Sequence, residues 1–128
     1  MVYFMKASEL RIGNWVTKTV NNEECQIYAN GIANLSSQEA SVLGRKMFEP
    51  IPLTEEWLLE FRFKPHNGSF YKIAVGGSEL LINPDNGVVW LERNDNGFNN
   101  PALIPYVHQL QNLYFALTGN ELLTRNEL

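Results

Sequence analysis

Four Asn-Gly pairs, Asn30-Gly31, Asn67-Gly68, Asn86-Gly87 and Asn96-Gly97, punctuate a chain of 128 residues. Both members of such a pair tolerate positive φ, which a two-residue type I′ hairpin turn demands of its centre. Repeated at this density, the pairs favour short antiparallel strands joined by tight reversals. Parallel strands need long crossovers, which this spacing leaves little room for. The expected fold is α+β, mainly antiparallel, with a small barrel-like N-terminal part, a three-strand meander and two principal helices.

In the N-terminal part, residues 9–53, Leu10, Ile12, Trp15 and Val16 form a first strand with a bulge or bend at Gly13-Asn14. Asn21-Asn22 is a turn, and Cys25, Ile27 and Tyr28 lead into Asn30-Gly31. Ser36 and Glu39 have the spacing of a capping box, so Ser36 to Gly44 is read as either one short helical turn or a loop. Pro50 and Pro52 force an extended, edge-like passage from Phe48 to Leu53.

Residues 54–128 carry the clearer signals. Thr54 is a helix N-cap followed by acidic Glu55-Glu56, placing a short helix at Thr54–Phe61 with Trp57, Leu58 and Phe61 on one side. The meander follows as Phe70–Val75, Glu79–Asn83 and Val88–Glu92, turning at Gly76-Gly77 and at Pro84-Asp85-Asn86-Gly87. A second helix spans Tyr106–Thr118 and ends at Gly119 as a C′ glycine. Its three- and four-residue steps put Val107, Leu110, Tyr114 and Leu117 on a core face shared with Trp57 and Phe61. His108, Gln111, Asn112 and Phe115 then project to the opposite side, where Phe115 is read as core of a sandwiched helix, as a partner contact or as simply exposed; the four form a candidate interaction face. The whole, residues 1–128, is expected to be a single domain.

Composition enters mainly by exclusion. With 45% hydrophobic and 12% aromatic residues, the chain has the apolar surface for a core without metal or disulfide help. No apolar run approaches the ~20 residues of a bilayer-spanning helix, and the start Met1–Met5 is too short for a secretory signal. One cysteine, Cys25, makes no intrachain bridge, so a cytoplasmic protein without membrane association is expected. Ten Lys and Arg against fourteen Asp and Glu give a net charge of −4, with basic residues scattered rather than striped. Net charge therefore lends nucleic-acid binding no support.

The chemistry-bearing residues are sparse. There is no G-x-x-x-x-G-K-[ST] loop and no G-x-G-x-x-G. His66, His108 and Cys25 lack zinc spacing. Glu92-Arg93-Asn94-Asp95-Asn96-Gly97 echoes a calcium loop, but Leu103 stands where its bidentate Glu belongs. Cys25 reads as a small buried hydrophobe rather than a nucleophile. No catalytic residue, cofactor or metal site is expected, and the weight of the residues lies against an enzyme.

Three segments carry a resemblance: Glu9-Leu10-Arg11-Ile12-Gly13-Asn14-Trp15-Val16, then Phe48-Glu49-Pro50-Ile51-Pro52-Leu53-Thr54-Glu55-Glu56-Trp57-Leu58, and last the run from Tyr106 to Gly119. Together they resemble a family of short uncharacterised proteins of Bacteroides-type gut bacteria, often encoded beside prophage or conjugative-element genes. The resemblance spans nearly the whole chain and implies a phage or mobile-element setting. It transfers no site. Family members commonly begin near a Met-Lys pair like Met5-Lys6, which implies that Met1 to Phe4 lie upstream of the shared sequence.

Two function classes follow. The first is a non-enzymatic accessory or interaction protein that binds a protein partner or itself, through the face of His108, Gln111, Asn112 and Phe115. The alternative is a small-ligand binder or enzyme with a loop-built site near His108, using Asn94 to Asn100.

Overall fold

The computed structural model describes residues 7–28, 48–92 and 102–127, which fall in two compact units, 1–51 and 52–128. The unit boundary lies two residues before the one read from the sequence. The elements are α+β with antiparallel sheets throughout, as expected.

In the first unit, β1 (Trp15–Lys18) is flanked by β2 (Glu24–Gln26) and β3 (Phe48–Pro50) in the order β2-β1-β3. The barrel-like form expected here is corrected: among the described residues this is an open three-stranded sheet. Among the described residues β2 and β3 flank β1 without meeting each other, whereas a barrel closes only when the edges meet. Asn22, at φ 57°, sits in the left-handed region and makes the expected β1–β2 reversal. Leu10 and Ile12 do not extend β1. A tight turn takes their place, in which the Asn14 N–H donates to the Arg11 carbonyl (3.0 Å) and the Arg11 N–H donates to Asn14 Oδ1 (2.6 Å). Leu10, Val16, Ile27 and Phe48 form the core of this unit, with Cys25 packed against it. The expected Asn30-Gly31 turn and the Ser36–Gly44 segment lie outside the described residues.

The second unit opens with α1 (Glu55–Glu60), capped by Thr54, whose Oγ1 accepts the Trp57 N–H at 3.3 Å. Its far end closes as a Schellman motif: the Arg62 N–H donates to the Leu59 carbonyl and the Phe63 N–H to that of Leu58. Arg62 supplies the left-handed residue at φ 69°. The meander follows, extended by one short strand on each side: β4 (Lys64–Pro65), β5 (Tyr71–Val75), β6 (Ser78–Asn83), β7 (Val88–Glu92) and β8 (Ala102–Leu103). Every strand pairs with its neighbour in sequence, giving the order β4-β5-β6-β7-β8.

The turns differ from the type I′ expectation. Neither Asn67 nor Asn86 has positive φ; only the glycine that follows does. At the β6–β7 turn the asparagine acts through its side chain instead, Asn86 Oδ1 accepting the Val88 N–H at 3.0 Å. Gly87 has φ +73°, and a Cβ there would stand 3.1 Å from the Pro105 backbone. Its N–H donates to the Asn83 carbonyl and its own carbonyl accepts the Ile104 N–H. The positive φ and the close approach together favour glycine here. The Asn96-Gly97 pair lies outside the described residues.

The last helix, α2 (Val107–Thr118), follows Tyr106, whose N–H donates to Gln109 Oε1 at 3.2 Å. Gly119, at φ 75°, ends it as expected. The helix lies against β5. Val75, Leu80, Ile82 and Val89 share one face of the sheet and are buried, as are Leu58, Phe61, Phe63, Val107, Leu110 and Leu122. Trp57 is half-buried, with its ring 5.6 Å from that of Phe61.

The face assignment on α2 needs correction. Val107 and Leu110 are core, but so are His108 and Gln111, at 0% and 2% exposure. Leu117, expected in the core, is 41% exposed, and Tyr114 is half-buried. Burial on this helix changes along its axis as well as around it: the first turns are enclosed and the last emerge.

Candidate functional site

The alternation of β5 sends neighbouring aromatic residues to opposite sides of the sheet. Tyr71 faces the helix side and Phe70 the other. On that other face cross-strand register places Lys64, Lys72, Leu81 and Trp90 in one row, because directly opposed residues of antiparallel strands share a face. His66 and Phe70 stand beside that row, joined by a bond from the His66 N–H to the Phe70 carbonyl at 2.8 Å. Here the surface is shallowly indented and open. A recess of about 460 Å³ is lined by His66, Asn67, Phe70, Leu81 and Trp90. Leu81 is buried although it lies away from the helix side, and Phe70 and Trp90 are half-buried. The recess thus offers an indole, a phenyl ring and an aliphatic floor, with imidazole and carboxamide groups at the β4–β5 turn.

A second, polar recess of about 390 Å³ lies across the same turn, lined by Leu53, Thr54, Glu55, Gly68, Ser69, Tyr71, Pro84 and Asp85. The Tyr71 hydroxyl donates to the Glu55 carboxylate. That bond first, then desolvation and the negative charges of Glu55 and Asp85, raises the tyrosine above its usual pKa.

The candidate interaction face is divided. His108 is enclosed, with its ring stacked 6.1 Å from that of Tyr106, and Gln111, three residues on, is enclosed too. Asn112 is half-buried and Phe115 is 38% exposed, so only these two reach the surface. The reading of His108 as a surface residue is corrected, because the first turns of α2 bury Val107, His108, Leu110 and Gln111 together. The loop Asn94–Asn100 lies outside the described residues. Cys25 packs at the edge of the first core; burial pushes its thiol up, with Lys18 opposing and Glu23 adding to the effect. That direction opposes thiolate formation at neutral pH. Among the described residues no three His, Cys, Asp or Glu side chains gather as a metal site, and no helix is long and apolar enough to cross a membrane.

The sequence did hold a signal for the recess. Phe70, Leu81 and Trp90 fall on the alternate positions of strands whose other face already supplies the core. Comparison of the chain with family models, with curated proteins and with solved structures returns no match.

Proposed function

We propose that this chain is a non-enzymatic binding module, an accessory protein of a phage or mobile element acting in the cytoplasm. Its recognition site is the recess of Phe70, Leu81 and Trp90, which takes up one ring-sized group of its ligand. The observation that carries this reading is the indented aromatic surface on the sheet face away from the helices. Binding sites are commonly apolar hollows of roughly 300–1,000 Å³ with a few polar groups at the rim, and His66 and Asn67 supply those here. The test is amide and indole NMR of the full chain titrated with indole, phenol and adenosine. The Trp90 indole resonance should move with at least one of them, and Trp90→Ala should abolish the response. Shifts confined to Asn112 and Phe115, or none at all, would sink the proposal.

A second reading, self-association through the C-terminal half of α2, is favoured by the exposure of Phe115 and Leu117 at 38% and 41%. Phe115→Ser should then lower the apparent mass in size-exclusion chromatography. An unchanged mass removes that reading.

A further inference from the structure

We propose that the recess takes a nucleoside monophosphate, its planar base against Trp90 and Phe70 and its phosphate at the lysines of the β4–β5 edge. This inference rests on the binding-module reading above and names the ligand class.

The charge pattern around the recess supplies the argument. Lys64 and Lys72 are directly opposed across β4 and β5. Like charges in that relation destabilise a sheet. Lys72 finds partial compensation in Glu79, 3.4 Å away, on a pair that is 33% and 43% exposed and so is weak. Neither lysine is part of the lining, but Lys64 precedes His66 by two residues and Lys72 follows Phe70 by two, so both lie next to the recess along the chain. Glu79, the carboxylate paired with Lys72, faces Glu92 across β6 and β7. An anion placed between the lysines removes the like-charge repulsion that the free sheet carries. A phosphomonoester, with a charge of about −1.5 to −2 at pH 7, matches two ammonium groups better than a single carboxylate does. The aromatic part follows from the rings: stacking on Trp or Phe suits any flat heterocycle. A volume of about 460 Å³ is one ring system with a short polar tail, not a length of polymer.

The experiment is calorimetric and NMR titration of the full chain with adenosine monophosphate, adenosine, and an oligomer of ten deoxyadenylates. Adenosine monophosphate should bind at least about tenfold more tightly than adenosine, the effect of one charge-assisted bond, and lose that advantage in high salt. Lys64→Glu should weaken the nucleotide about tenfold or more, leave adenosine within about twofold, and raise the Tm by turning a like-charge pair into an opposite one. Lys64→Gln gives the same binding result should the glutamate variant fold poorly. Equal affinity for adenosine and its monophosphate, with Trp90 still responding, overturns this inference and leaves the binding-module reading standing. No response to either strikes the recess itself. Tighter binding of the oligomer than of the mononucleotide overturns the proposal in favour of single-stranded nucleic acid.

Discussion

Arg62 holds the left-handed conformation that closes α1, at φ 69°, without the freedom of glycine. For an L-residue this backbone costs about 1–2 kcal/mol, and glycine returns part of the gain through its larger unfolded entropy. Arg62→Gly should therefore raise the unfolding free energy by about 0.5–1 kcal/mol, measured by urea titration. The closure itself was not legible from residue type, because the sequence offers no glycine there and the motif depends on Phe63 following it. Asn14 makes the converse case. Its side chain is 1% exposed and its Oδ1 accepts the Arg11 N–H. Truncation leaves that donor without its acceptor, so Asn14→Ala should cost about 1–3 kcal/mol. A change below a few tenths of a kcal/mol would mean that water replaces the carboxamide. From the sequence, Gly13-Asn14 reads as a bulge or a bend in a strand, and the structure makes it a turn. A short polar side chain folding back on its own backbone gives the same residue signature as a bulge does.

At the level of elements, the caps were the most legible features. Thr54 and Gly119 bracket their helices because each satisfies a local backbone need that a neighbouring residue type serves poorly. The meander was legible for the same reason, since alternation and turn residues are properties of adjacent positions. The faces of α2 were only half legible. A helical wheel projects burial around the axis and is blind to depth along it, so it put His108 outside and Leu117 inside. Leu110, fully enclosed, should cost about 2–5 kcal/mol as Leu110→Ala, whereas Phe115→Ser should change stability by less than about 1 kcal/mol. Similar losses at both sites would contradict the axial gradient. The link from α1 to β5 makes a prediction in pH. Because the bond to Glu55 raises the Tyr71 pKa, the folded chain holds the phenolic proton more tightly than the unfolded chain. This contribution to stability is complete below about pH 10 and is lost as the pH rises through the folded value. Tyr71→Phe should flatten the fall in Tm above about pH 10, and Glu55→Gln should bring one phenolate transition back toward the ordinary range.

Across the whole molecule, the two units solve the problem of covering a sheet with different means. The second builds a core between helices and meander, while the first gathers four apolar residues around short strands. The recess was missed at this scale. Sequence alternation assigns each strand two faces, but only the assembled register puts Lys64, Lys72, Leu81 and Trp90 in one row. That same register has a consequence in time. Each reversal of the meander joins strands adjacent in sequence, Val75 pairing with Ser78 across two glycines. In the first unit Lys18 pairs with Phe48, thirty positions on. Closing the longer loop costs about 2 kcal/mol more chain entropy by logarithmic scaling, and folding slows as contacts become less local. A variant retaining only Trp90 should therefore report an earlier refolding phase in stopped-flow fluorescence than one retaining only Trp15. Coincident phases would show that the hairpins wait for the long-range strand. If they do not wait, the face bearing the recess is assembled while β3 is still searching for β1, and a ligand added during refolding meets a formed site before the chain is finished.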